Sequence, residues 1–214
     1  MVLDGFDLGV GLLVPLADDQ QKDTMIASIG PFWDANETWL VMGVGVLLVA
    51  FPLAHGTVLT ALYLPVSLML IGLTLRGVAF DFRVKARAEH KGHWNRAFFA
   101  GSFLAAFAQG FMLGELVLGF EQSLFATVFA AFIGLCLASG YALLGACWLT
   151  AKTDGDLQRK AVAWARRSVV LTALGVAGVS LMTPLLSGTI FDKWFGVENL
   201  IVVWPMPLIT DVLF

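Results

Sequence analysis

Apolar residues in this chain collect in long blocks that polar residues hardly interrupt. A window of about 19 residues picks out spans near 2–16, 38–54, 56–75, 97–118, 123–150 and 168–188, with another beginning near 198. The hydrocarbon core takes about 20 residues of helix, so each block predicts one crossing. Trp39–Leu75 runs for 37 residues without a formal charge. That is too long for one helix, and Pro52, His55 and Gly56 mark the turn between two. The pattern therefore predicts an all-α polytopic transmembrane helix bundle of about seven spans, the first and last truncated.

Charge placement gives the orientation, because Lys and Arg are retained on the cytoplasmic side. Of the 13 basic residues, six (Arg76, Arg83, Lys85, Arg87, Lys91, Arg96) fall in one connection and five (Lys152, Arg159, Lys160, Arg166, Arg167) in another. Two spans separate these connections, so both can face the cytoplasm, and the segments near 119–122 and 189–197 face outward. Counting back across two spans puts residues 17–37 inside as well, although that segment is acidic (Asp18, Asp19, Asp23, Asp34, Glu37) with only Lys22 to balance it. A single span over Trp39–Leu75 would put it outside.

Composition agrees with this class: 58% hydrophobic residues, 14% charged and a mean hydropathy of +0.83 describe an integral membrane protein. Cys136 and Cys147 form no CxxC pair and read as small core residues. The first span opens with Asp4 and has neither a basic leader nor a small-residue cleavage site, so it is not a signal peptide. The last span stops at Phe214, after Pro205, Pro207 and Asp211, without a charged flank. Both ends predict that residues 1–214 are a single integral-membrane domain, part of a longer chain. No internal repeat, low-complexity tract or soluble domain interrupts it.

The candidate chemistry is carried by carboxylates. His90 and His93 lie in a basic connection and His55 at a helix end, so no intramembrane histidine pair can clamp a haem. No HxxxH, ExxH, GxGxxG or phosphate-binding loop is present, which removes the usual metal and nucleotide readings. Asp4 and Asp7, in "LDGFDLGVG", are three apart and share one helix face. A carboxylate in the bilayer is costly unless paired, protonated or wetted. A proton or cation path is one reading; a place for Asp4 in the headgroups just outside a truncated helix is the other. In "PFWDANETWL", Asp34 and Glu37 have the spacing of a capping box at the start of the span 38–54, with Trp33 and Trp39 as interface anchors. A capping carboxylate beside a helix N-terminus is also suited to collecting protons, and both roles stand open. In "LRGVAFDFR", Arg76 and Arg83 read as positive-inside anchors with Asp81 as their surface partner, ahead of a lipid, quinone or subunit contact.

"DGFDLGVG", "PFWDANETWL" and "LRGVAFDFR", in this order and at these separations, resemble subunit II of the cytochrome bd-type quinol oxidases, including the cyanide-insensitive branch. The likeness covers essentially the whole chain. It implies a multi-pass subunit of a bacterial inner-membrane complex that oxidises quinol and reduces O₂ to water. Partner subunit I would carry haems b and d and the quinol site, and this chain would bind no haem by itself. Some members hold a structural quinone in subunit II, for which no contact residues can be assigned. The expected partners are subunit I, membrane lipid and the quinol/quinone pool, and not nucleic acid. In the family, acids matching Asp7 and Asp34 belong to a cytoplasmic proton-uptake path; Trp33 matches the motif, and Asp4 and Glu37 flank it. Two alternatives remain: a proton-coupled secondary transporter, which also places acids near helix breaks, and a purely structural membrane subunit.

Overall fold

The computed structural model describes residues 2–121, 123–186 and 191. The described chain is helical: α1 (Val2–Leu13), a 3-10 turn (Val14–Leu16), α2 (Asp19–Ile29), α3 (Trp33–Ala50), α4 (Pro52–Ala61), α5 (Tyr63–Lys85), α6 (Ala88–Val117), α7 (Leu124–Lys152) and α8 (Gly155–Leu186). Four of these, α5 to α8, are each long and apolar enough to cross a membrane. The span expected from residue 198 and the candidate Asp211 lie outside the described residues.

Sequence punctuation sets the breaks. Phe51 leaves helical geometry (φ −136°, ψ 61°) directly before Pro52, a departure that the clash with the following proline ring favours, and Pro52 opens α4 where its missing N–H costs nothing. The α6–α7 turn uses Gly119 at φ 67°, a left-handed conformation that glycine adopts without strain. Ser123 caps α7 by accepting from the Ala126 N–H at 3.1 Å.

Consecutive helices from α5 to α8 pack as antiparallel neighbours, and α1 lies between α6 and α7. Lipid tails offer no hydrophobic drive between helices, so contact depends on close backbone approach. Gly9 of α1 meets the Tyr141 carbonyl and Gly145 of α7 so closely that a Cβ has no room there. On the other side, Gly11 abuts Ser102 and Phe98 of α6. This crossing fixes the rotation of α1 and turns Asp4 and Asp7 into the bundle.

The acidic segment 17–37 sits against the basic connections. Asp18 accepts from Lys160 at 2.7 Å, and Asp23 accepts from Arg83 at 2.5 Å and from Lys91 at 3.3 Å. Met25, Ile26 and Ile29 on the underside of α2 are buried in the core. The first turns of α3 lie beside the second half of α5, where Glu37 meets Arg76 and Trp33 tilts against Phe80 at 5.0 Å. Residues 33–85 therefore form a hairpin whose two ends share the basic end of the bundle. Within Trp39–Leu75 the chain forms three helical pieces, α3, α4 and the first part of α5, where two spans divided near Pro52–Gly56 were expected; the second break falls at Leu62. The far part of the hairpin presents Val41, Val49, Phe51 and Leu53 outward.

Several local expectations are corrected. The residue before α3 is Phe32, not Asp34, and no side-chain bond caps that helix. A capping contact forms instead at α2, where Gln21 Oε1 accepts from the Asp18 N–H at 3.3 Å. Arg76 and Arg83 are buried rather than surface anchors. Their partners are Glu37 for Arg76, and Asp23 and Asn95 for Arg83, while Asp81 is exposed and pairs with neither. Cys136 is half-buried against Gly175, but Cys147 is exposed.

Candidate functional site

Two carboxylates are enclosed by the bundle: Asp7 is 0% exposed and Asp4 2%. This corrects the headgroup placement of Asp4. Each carboxylate has one hydrogen bond among the described residues. Asn36 Nδ2 of α3 donates to Asp7 Oδ2 at 2.6 Å, and Gln109 Nε2 of α6 donates to Asp4 Oδ2 at 3.2 Å. Gln109 Oε1 in turn accepts from the Tyr141 hydroxyl of α7 at 2.6 Å. That order has a chemical meaning. A phenol O–H donating to the amide oxygen leaves the amide N–H₂ to face Asp4, which suits an acceptor oxygen on the carboxylate.

Arg76 is the positive centre of the same region. Its guanidinium is wholly buried, pairs with Glu37, and lies 5.7 Å from the Trp33 ring centre and 5.6 Å from that of Phe98. Aromatic faces stabilise a desolvated cation, so the pair does not depend on Glu37 alone. Arg76, Asp4 and Glu37 all act electrostatically on Asp7, which makes Asp4, Asp7, Glu37 and Arg76 one coupled set. Asp4 Oδ1, Asp7 Oδ1, Arg76 Nε and Nη2, and Ser102 Oγ are buried without a partner among the described residues. Groups of this kind are normally satisfied by ordered water.

The sequence candidates divide accordingly. Asp4, Asp7, Glu37 and Trp33 come together. Asp34 lies one turn before Glu37, is exposed, and makes no side-chain hydrogen bond or ion pair among the described residues. Its place is the rim of the cluster at the basic end. Asn36, Gln109 and Tyr141 escaped sequence reasoning, and Arg76 was seen with the wrong role. A signal existed for Gln109: it is the only amide side chain in the uncharged stretch 97–114.

Residues 1–214 match the family described as Cytochrome bd terminal oxidase subunit II. The chain belongs to that family. It is 32% identical over 193 residues to cytochrome bd ubiquinol oxidase subunit 2 of Bacillus subtilis (strain 168), covering 84% of this chain and 56% of the relative. Against cytochrome bd-I ubiquinol oxidase subunit 2 of Escherichia coli (strain K12) it is 30% identical over 200 residues, 85% of this chain and 53% of the relative. A probable cytochrome oxidase subunit 2 of Haemophilus influenzae is 31% identical over 199 residues, with 84% and 53% covered. The chain thus spans about half the length of the curated relatives it matches. Membership of a subunit II family gives the transporter alternative no support.

The described residues of this subunit II chain do not fit a haem clamped between helices. His90 and His93 are exposed at the start of α6, and His55 is half-buried in α4. No group of three His, Cys, Asp or Glu side chains among the described residues is arranged to hold a metal ion.

Proposed function

We propose that this chain acts as subunit II of a cytochrome bd-type quinol oxidase in a bacterial plasma membrane, beside a haem-bearing subunit I that oxidises quinol and reduces O₂ to water. Its own contribution is proton uptake from the cytoplasm. The observation that carries this reading is the succession of carboxylates from the basic end inward: exposed Asp34, half-buried Glu37 beside Arg76, then buried Asp7 and Asp4. Lys and Arg retention makes the basic end cytoplasmic.

Oxygen reduction consumes protons, and a route through a bilayer needs groups that take and release them at short intervals. Asp34 would gather protons at the rim. Asp7 would accept them inside, where Asn36 donates to it and Asp4, Glu37 and Arg76 lie close by. Water hydrogen-bonded to the unpartnered oxygens of Asp7 and Asp4 and to Ser102 would link the steps. Gln109 and Tyr141 hold Asp4 at the inner end.

The test is Asp7→Asn in the intact oxidase. The amide has the size of the acid but cannot carry the proton. Quinol-dependent O₂ uptake should fall by about tenfold or more, the scale on which positioned proton transfer acts, with haem content and complex yield maintained. Wild-type uptake in a haem-replete complex would leave this subunit a structural role only.

A further inference from the structure

Away from the carboxylate cluster, a groove of about 520 Å³ opens between the end of α1, α2 and the first half of α6. Its polar lining consists of Lys22, Asn95 and Arg96, and its apolar lining includes Leu12, Leu16 and Phe99. From this lining we propose that the groove is a binding site for one anionic glycerophospholipid, with the phosphate held by Lys22, Asn95 and Arg96 and an acyl chain lying along Leu12, Leu16 and Phe99.

The polar side chains of the lining present donors to an incoming ligand. Asn95 is 8% exposed and its Oδ1 is already taken by Arg83 Nε at 2.5 Å. Its Nδ2 has no partner among the described residues and is not among the fully buried unpartnered atoms, so it opens on the groove. Arg96 is exposed and has no ion pair or hydrogen bond among the described residues. Lys22 uses one of its three N–H groups on Asp19, whose side chain is 93% exposed, and keeps two. No acid lines the groove, since Asp19 is on Lys22 and the neighbouring Asp23 is held by Arg83 and Lys91; three donor groups suit an acceptor-rich anion, and a phosphodiester is the headgroup chemistry that supplies one.

The level of the groove favours a lipid over a free phosphate. Arg96 is the last charge on α6 before the uncharged stretch 97–114, so it marks the boundary between headgroups and hydrocarbon. Leu16, 59% exposed on the other wall, offers apolar surface to a chain and nothing to a soluble anion. Basic pockets between helices at the cytoplasmic face are the setting in which anionic headgroups bind.

The inference is independent of the proton route and its test needs no turnover. The intact complex, freed of lipid in detergent, is titrated with phosphatidylglycerol and with phosphatidylcholine of the same chains, and bound lipid is read by native mass spectrometry. One phosphatidylglycerol should be retained in preference to phosphatidylcholine. The double variant Lys22→Gln/Arg96→Gln should weaken that retention by about fivefold for each cation removed. Arg166→Gln/Arg167→Gln, which alters exposed arginines on α8 outside the groove, should leave it unchanged. Equal retention of both lipids, or no response to the Lys22/Arg96 variant, would overturn the site. Glycerol phosphate displacing the lipid at equal concentration would overturn the lipid assignment in favour of a soluble anion.

Discussion

Arg76 and Glu37, 39 positions apart in sequence, form an ion pair whose guanidinium has no exposure to solvent. This one contact joins the start of α3 to α5 and places a positive charge beside two buried carboxylates. Trp33 and Phe98 flank it. An arginine fits here where a lysine would not, because its planar group can lie against rings while it pairs.

Removing one member of such a pair leaves a buried charge uncompensated, at a cost of about 3–5 kcal/mol. Arg76→Gln should therefore destabilise the chain by an amount in that range, read as a shift in denaturant midpoint in mixed micelles. The double variant Arg76→Gln/Glu37→Gln should be more stable than the sum of the single losses. Strict additivity would show that the two side chains do not interact.

Tyr141→Phe preserves the packed ring but frees the Gln109 amide, whose oxygen then has no donor. An unsatisfied buried acceptor costs about 1–3 kcal/mol, so a modest loss of stability is expected. The informative readout is the carboxyl infrared band assigned to Asp4 by its loss in Asp4→Asn. It should shift in Tyr141→Phe, because a turned amide no longer presents its N–H₂. An unmoved band would mean that Tyr141 does not orient Gln109.

The attachment of α2 should depend on pH. Burial works against the charge on Asp23, but the Arg83 guanidinium and the Lys91 ammonium outweigh it and hold the carboxyl below its usual range. A carboxyl depressed in the folded state adds stability above its unfolded value of about 3.9 and loses it as pH falls through the folded value. Protease nicking of the α2–α3 connection should rise on acidification below about pH 4. In Asp23→Asn the connection should already be more open at neutral pH, with a flatter pH response; an identical profile would remove Asp23 from the attachment.

Residues 19 and 87 should label from the same side of the membrane. Asp19→Cys and Arg87→Cys, each made with Cys136 and Cys147 replaced, can be treated with an impermeant thiol reagent in cells and in inverted vesicles. Both should be protected in cells and labelled in vesicles. Labelling of residue 19 alone in intact cells would open the hairpin between α3 and α5 and remove Asp34 from the cytoplasmic rim.

The membrane class, the long helices α5 to α8 and the break at Pro52 were written in the sequence, because these depend on local quantities: a run of apolar residues, a proline, a glycine at a turn; helix α2 inside the acidic segment and the second break at Leu62 were not. Pro52 marked the hairpin and the uncharged blocks marked α5, α6 and α7 before any contact was known. The carboxylates of α1 were also visible, since Asp4 and Asp7 stand out in an apolar span. What surrounds them was not. Whether Asp4 meets headgroups or Gln109 depends on how α1 is rotated, and glycines of α1 and α7 set that rotation by letting two backbones touch. Arg76 and Arg83 read as anchors because their neighbours in sequence are a membrane end and Asp81. In the folded chain their partners come from 39 and 60 positions away. An ion pair between distant segments leaves no periodic trace in either one, so packing alone decided that both arginines became buried charges and which acid stayed at the rim.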